Sequence, residues 1–142
     1  MALLARDDRQ MVLLYHPDIE LGKQCFATAQ AADIKVLSIN LKKDNISDTE
    51  WVEVSKLLNK SLAEMINQEH PVFKEIYGDS QPNLDQHDAI KILNKHPETL
   101  VYPVAIRGNQ ALQATKTADI TKLFSSDSKG FEKKAIKSND NR

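Results

Sequence analysis

The sequence predicts an α/β protein built on a mixed sheet, and three stretches carry that expectation. Met11–Tyr15 reads MVLLY, an unbroken apolar run of the kind that marks a strand buried on both faces. A helical stripe follows, and Ile34–Ile39 (IKVLSI) then returns to strand chemistry, a strand–helix–strand order that favours a right-handed crossover and a parallel pair. Late in the chain, Leu100–Ile106 and Ala111–Thr115 flank Arg107-Gly108-Asn109-Gln110, the composition of a hairpin turn.

In chain order, residues 1–9 are a charged lead-in ending in Arg6, Asp7, Asp8 and Arg9. The first strand stops at His16-Pro17-Asp18, where proline removes a backbone donor. From Glu20 to about Ala32, Leu21, Cys25 and Ala29 recur at helical spacing. Residues 47–96 then read as a helical insert. Ser47 with Glu50 forms a capping box ahead of Trp51, Val54, Leu57 and Leu58, and Ser61 with Glu64 repeats that grammar ahead of Leu62, Met65 and Ile66. Val72, Phe73 and Ile76 suggest a short helix after Pro71, and Asp85–Lys95 a longer one that Pro97 stops. In the third strand Pro103 belongs at a start or an edge. Thr117 can cap a last short helix carrying Ile120, Leu123 and Phe124, and the polar residues 125–142 form a tail. The composite is βαβ, helical insert, ββα over residues 10–124, which is the thioredoxin-like plan.

Composition narrows the function. The chain has 142 residues, with 19 Lys+Arg against 20 Asp+Glu, enough for one domain with a real core. A net charge of −1 makes no electrostatic case for nucleic acid. The single cysteine excludes a disulfide framework, a four-thiolate zinc site and an intramolecular CxxC pair. Four unclustered glycines leave no room for a phosphate loop or dinucleotide fingerprint. The apolar opening run Ala2–Ala5 is too short for a signal peptide or membrane span, so a cytoplasmic protein without membrane or nucleic-acid partners is expected.

Few residues carry candidate chemistry. Cys25 lies inside the first helix on its apolar stripe, where a free cysteine behaves as a small hydrophobe; the competing role is a displaced nucleophile. His16, Asp18 and Glu20 alternate in one loop and could offer N and O ligands, but that spacing is no recognised metal signature and no second cluster accompanies it, so no metal is expected. The simpler role gives Asp18 or Glu20 the task of capping the first helix. An acid/base pairing of these carboxylates would need burial that a solvated loop does not supply.

The chain resembles the glutaredoxin-type arsenate reductase and Spx-related family. The carriers are the strand into Tyr15-His16-Pro17, the segment Ser61–Asn67 running into Pro71, and His96-Pro97-Glu98-Thr99-Leu100-Val101-Tyr102-Pro103-Val104 before a Gly-containing hairpin. The resemblance implies a thioredoxin fold with a helical insertion, with Pro103 as a cis-proline beside the site and Tyr102–Pro103 lining a peptide or glutathione groove.

It also implies where chemistry should be and is not. The family's nucleophilic cysteine opens the first helix, and by register that position is Glu20. Family arginines correspond to Gln24, one turn further on, to Ile66 in the insert, and to Tyr102 before the proline; Lys116 is the nearest basic remnant. A carboxylate cannot attack arsenic or sulfur, and its charge repels an anionic substrate. The departures therefore predict a non-catalytic protein that binds a protein or peptide partner through His16, Asp18, Glu20, Gln24, Tyr102 and Pro103, with no cofactor. The alternative is a thiol oxidoreductase of arsenate reductase or glutaredoxin type, using Cys25 with glutathione or a partner thiol.

Overall fold

The computed structural model describes residues 10–78 and 83–124. The lead-in and the polar tail lie outside the described residues. Four strands, β1 (Gln10–Tyr15), β2 (Lys35–Asn40), β3 (Val104–Arg107) and β4 (Gln110–Gln113), form one sheet in the order β2-β1-β3-β4. β1 runs parallel to β2 and antiparallel to β3, and β3 turns back into β4. The sheet is mixed, with α1 (Glu20–Gln30) as the crossover between its parallel strands.

From Met11 onward β1 is apolar because each face of the sheet is covered. Val12 and Leu14 point into a core made with Ile39, Trp51, Val54, Met65, Phe73, Leu93 and Val104. Met11, Leu13 and Tyr15 point the other way, against Cys25, Ala29, Ala105, Ile120 and Leu123. Alternate side chains thus serve two cores, the consequence of the period-two geometry of a strand. Tyr15 also stacks on Phe26 with ring centroids 4.8 Å apart, which seats α1 under the strand.

The insert supplies α2 (Asp48–Leu58), α3 (Pro71–Tyr77) and α4 (Gln86–Lys95). Ser47 and Glu50 make the expected capping box, each satisfying the other's backbone N–H. Asp85 caps α4 through Asp88 N–H, and His70 caps α3 through its Nδ1. Trp51 Nε1 donates to Asn94 Oδ1 at 2.9 Å, and Asn94 Nδ2 donates to Asp48, so one buried indole ties α2 to α4.

Several expectations need correction. Ser61 and Glu64 do form reciprocal bonds, but they close only a 3-10 turn, Ala63–Met65, rather than starting an α-helix. The third strand is shorter than Leu100–Ile106. Pro97–Thr99 is a 3-10 turn, and Leu100 pairs across to Ile66 of the insert, with Val101 N–H donating to Met65 O. Pro103 has no N–H to give, so the sheet ladder starts only at Val104. Thr117 does not cap the last helical segment, a 3-10 stretch Thr117–Leu123 preceded by Lys116. Asp119 ties the entry instead, accepting from Thr115 N–H and Oγ1.

Candidate functional site

The C-terminal ends of β1 and β2, the N-terminus of α1 and the approach to β3 meet at one edge of the sheet. Leu14 pairs with Val104, so Tyr102 and Pro103, which precede Val104, lie at the same edge as Tyr15 and His16. In open α/β sheets this carboxyl-end crevice is where ligands bind.

The His16–Ile19 turn is built tightly. Ile19 N–H donates to His16 O, and Asp18 N–H donates to His16 Nδ1 at 3.1 Å. Because Nδ1 accepts, the neutral ring carries its proton on Nε2. His16 is buried, and burial pushes its pKa below the ordinary value. The Asp18 and Glu98 carboxylates pull it back up, while Lys42 and His70 add to the depression. Glu98 in turn sits 3.4 Å from His96 Nδ1.

Neither expected carboxylate caps α1. The residue at the cap is Ile19, whose side chain accepts nothing. Asp18 is drawn instead to Lys42, just past β2, at 3.0 Å, and the side-chain hydrogen bond from Lys42 holds its carboxyl below the usual range. Glu20 points along the helix surface, where Gln24 Nε2 donates to its Oε2 at 3.0 Å. Among the described residues no group of three or more His, Cys, Asp or Glu side chains is arranged to hold a metal.

Tyr102 is half-buried and Pro103 buried. Gln113 Nε2 reaches Tyr102 O at 3.4 Å, and Lys60 Nζ donates to Gln113 Oε1 at 3.0 Å. The expected cis bond is absent: no peptide bond among the described residues is cis, and Tyr102–Pro103 takes the trans form that X–Pro bonds intrinsically prefer. Ile66 is buried and Lys116 exposed.

Cys25 stands apart from this edge. It has no exposed surface and packs among Leu13, Ala29 and Ile120. Burial pushes its thiol up to about 11, with the Asp119 carboxylate adding to the rise.

The structure thus gathers His16, Asp18, Glu20, Gln24, Tyr102 and Pro103 at or around one edge and leaves Cys25 in the core. Sequence reasoning missed Lys42, His70, Glu98 and Gln113. Lys42 was within reach, since a residue just past the second of two parallel strands must lie beside the loop after the first. The others depend on how the insert, the turn after it and the hairpin pack, which spacing does not encode.

No family model matches the chain, and no curated protein sequence matches it. Solved structures do. The arsenate reductase from Vibrio cholerae superposes with a TM-score of 0.68 at 18% identity, over 81% of this chain and 98% of that one. This chain has the arsenate-reductase-like thioredoxin fold. The YffB (PA3664) protein shares it at a TM-score of 0.66 and 15% identity, covering 81% of this chain and 99% of that one. Identities this low establish architecture alone. No described helix is long and apolar enough to cross a membrane.

Proposed function

We propose that this protein uses the arsenate-reductase-like fold for binding or regulation rather than for thiol chemistry. It engages a protein or peptide partner at the edge formed by His16, Asp18, Glu20, Gln24, Tyr102 and Pro103. The observation that supports this most is the state of Cys25. A thiol nucleophile must reach its substrate and ionise near neutral pH. The sole cysteine has no exposed surface, and its thiol is pushed to about 11. At the start of α1 stands Glu20, an exposed carboxylate that can neither attack nor welcome an oxyanion.

The competing chemistry, reduction through Cys25 with glutathione or a partner thiol, makes an opposite demand. Arsenate and mixed-disulfide reduction should be assayed with glutathione, glutaredoxin and thioredoxin as reductants. The expected result is turnover no greater than that of heat-treated protein. Turnover above it that disappears in Cys25→Ser would overturn the proposal.

A further inference from the structure

A second recessed site lies on the insert, between α3 and α4. Its cavity is about 300 Å³ and is lined by Ile76, Tyr77, Ile92, Asp88, Lys91, Lys95 and His96. That volume falls at the lower end of small-molecule sites, about 300–1,000 Å³.

The lining is polarised. Ile76 is 48% exposed and is the one large hydrophobic residue in the open among the described residues. With Tyr77 and Ile92 it gives the cavity an apolar wall. Asp88, Lys91, Ile92 and Lys95 recur at helical spacing and so share one stripe of α4. Lys91 and Lys95 are exposed, and neither has a carboxylate within ion-pairing distance among the described residues, whereas Lys23, Lys42, Lys74 and Lys122 each do. Asp88, at the other end of the stripe, repels an anion there and so fixes its place at the Lys91–Lys95 end.

We infer that this cavity binds a small apolar carboxylate, its tail against Ile76, Tyr77 and Ile92 and its charge between Lys91 and Lys95. The occupant is a small molecule rather than a folded partner. A stable protein interface takes on the order of 800 Å² from each side, and one exposed isoleucine does not supply an apolar centre for it. Apolar contact and two exposed ammonium groups with no ion-pair partner among the described residues together fit an amphipathic monoanion. The cavity shares no lining residue with the edge proposed above, and the two meet only through His96, whose ring pairs with Glu98, a carboxylate that faces His16.

The test is an NMR titration of the full-length protein with octanoate, following the Ile76 and Ile92 methyls, with octylamine as the charge-reversed probe. Saturable shifts with a Kd on the order of 1 mM are expected for octanoate, given its size. Octylamine should leave these methyls unmoved, and Lys91→Gln/Lys95→Gln should weaken octanoate roughly tenfold, the loss of two exposed charge contacts. The same spectra report whether the variant is folded. Lys35→Gln/Lys43→Gln, with an equal change of charge outside the lining, should bind as the unaltered chain does. Equal binding of both probes, or octanoate binding unchanged in Lys91→Gln/Lys95→Gln, would overturn the inference. So would saturation of these methyls by an acidic peptide with no response to octanoate, which would make the site a protein contact.

Discussion

The carbonyl of His16 occupies the space into which a β-carbon on Gly22 would project. The turn after β1 therefore rests directly on the first turn of α1, and only glycine lets it do so. Gly22→Ala should force the two apart and cost about 1–3 kcal/mol, the usual range for overpacking, despite alanine's better helix propensity. Urea unfolding checks this. An unchanged or raised midpoint would show that the turn shifts freely.

His16 should make the fold sensitive to acid. Its folded pKa is lowered, chiefly by burial, so the unfolded imidazole takes a proton at higher pH than the folded one. Its contribution is fully present above about 6.5 and is lost as pH falls below that value, where the unfolded chain binds the extra proton. Protonation at Nδ1 would also break the bond from Asp18 N–H. His16→Gln should flatten stability against pH in that window, whatever its effect at neutral pH. An identical slope in variant and parent would contradict the assignment.

At the alkaline end the sign reverses. The Cys25 thiol keeps its proton to about 11 in the folded state, while the unfolded thiol loses it near 9.0. Its contribution is intact below 9.0 and declines as pH rises toward 11, because thiolate formation favours the unfolded chain. Cys25→Ala should reduce the alkaline loss by about 2–3 kcal/mol across that interval, at 1.36 kcal/mol per pH unit. Tyr15, also raised by burial, is present in both proteins and cancels in the comparison.

The two capping boxes offer an internal control. Ser47 and Glu50 start an α-helix whose Trp51 and Val54 are buried, so Ser47→Ala should cost about 1 kcal/mol. Ser61 and Glu64 make the same two bonds in the open, closing a single 3-10 turn. Ser61→Ala should cost less than half as much. Equal losses would mean that the Ser61 box holds more of the insert than its own turn.

Much of the fold was legible because burial leaves a periodic trace. MVLLY reads as a strand covered on both faces, and the spacings of Leu21, Cys25, Ala29 and of Trp51, Val54 mark helix faces that the structure buries or packs. Pairing leaves no such trace. Leu100 and Val101 are as strand-like as Val104, yet they bond to Ile66 and Met65 of the insert, a choice made by distant chain. Capping by Asp18 or Glu20 was locally reasonable, but Lys42, brought in by the parallel register of β2, competes for Asp18 and wins. The candidate site was legible as a set of positions and not as a set of partners. His70, Glu98 and Gln113 reach it only through the packing of the insert and the hairpin.

The most direct test of the central claim is the alkylation rate of Cys25 across pH in the native protein, with the urea-unfolded chain as reference. Labelling is expected to be negligible near neutral pH and to appear only with unfolding or as pH approaches about 11. Fast labelling of the native protein below neutral pH would reveal an exposed, stabilised thiolate. That result would contradict a binding role without thiol chemistry and return Cys25 to the centre of the site.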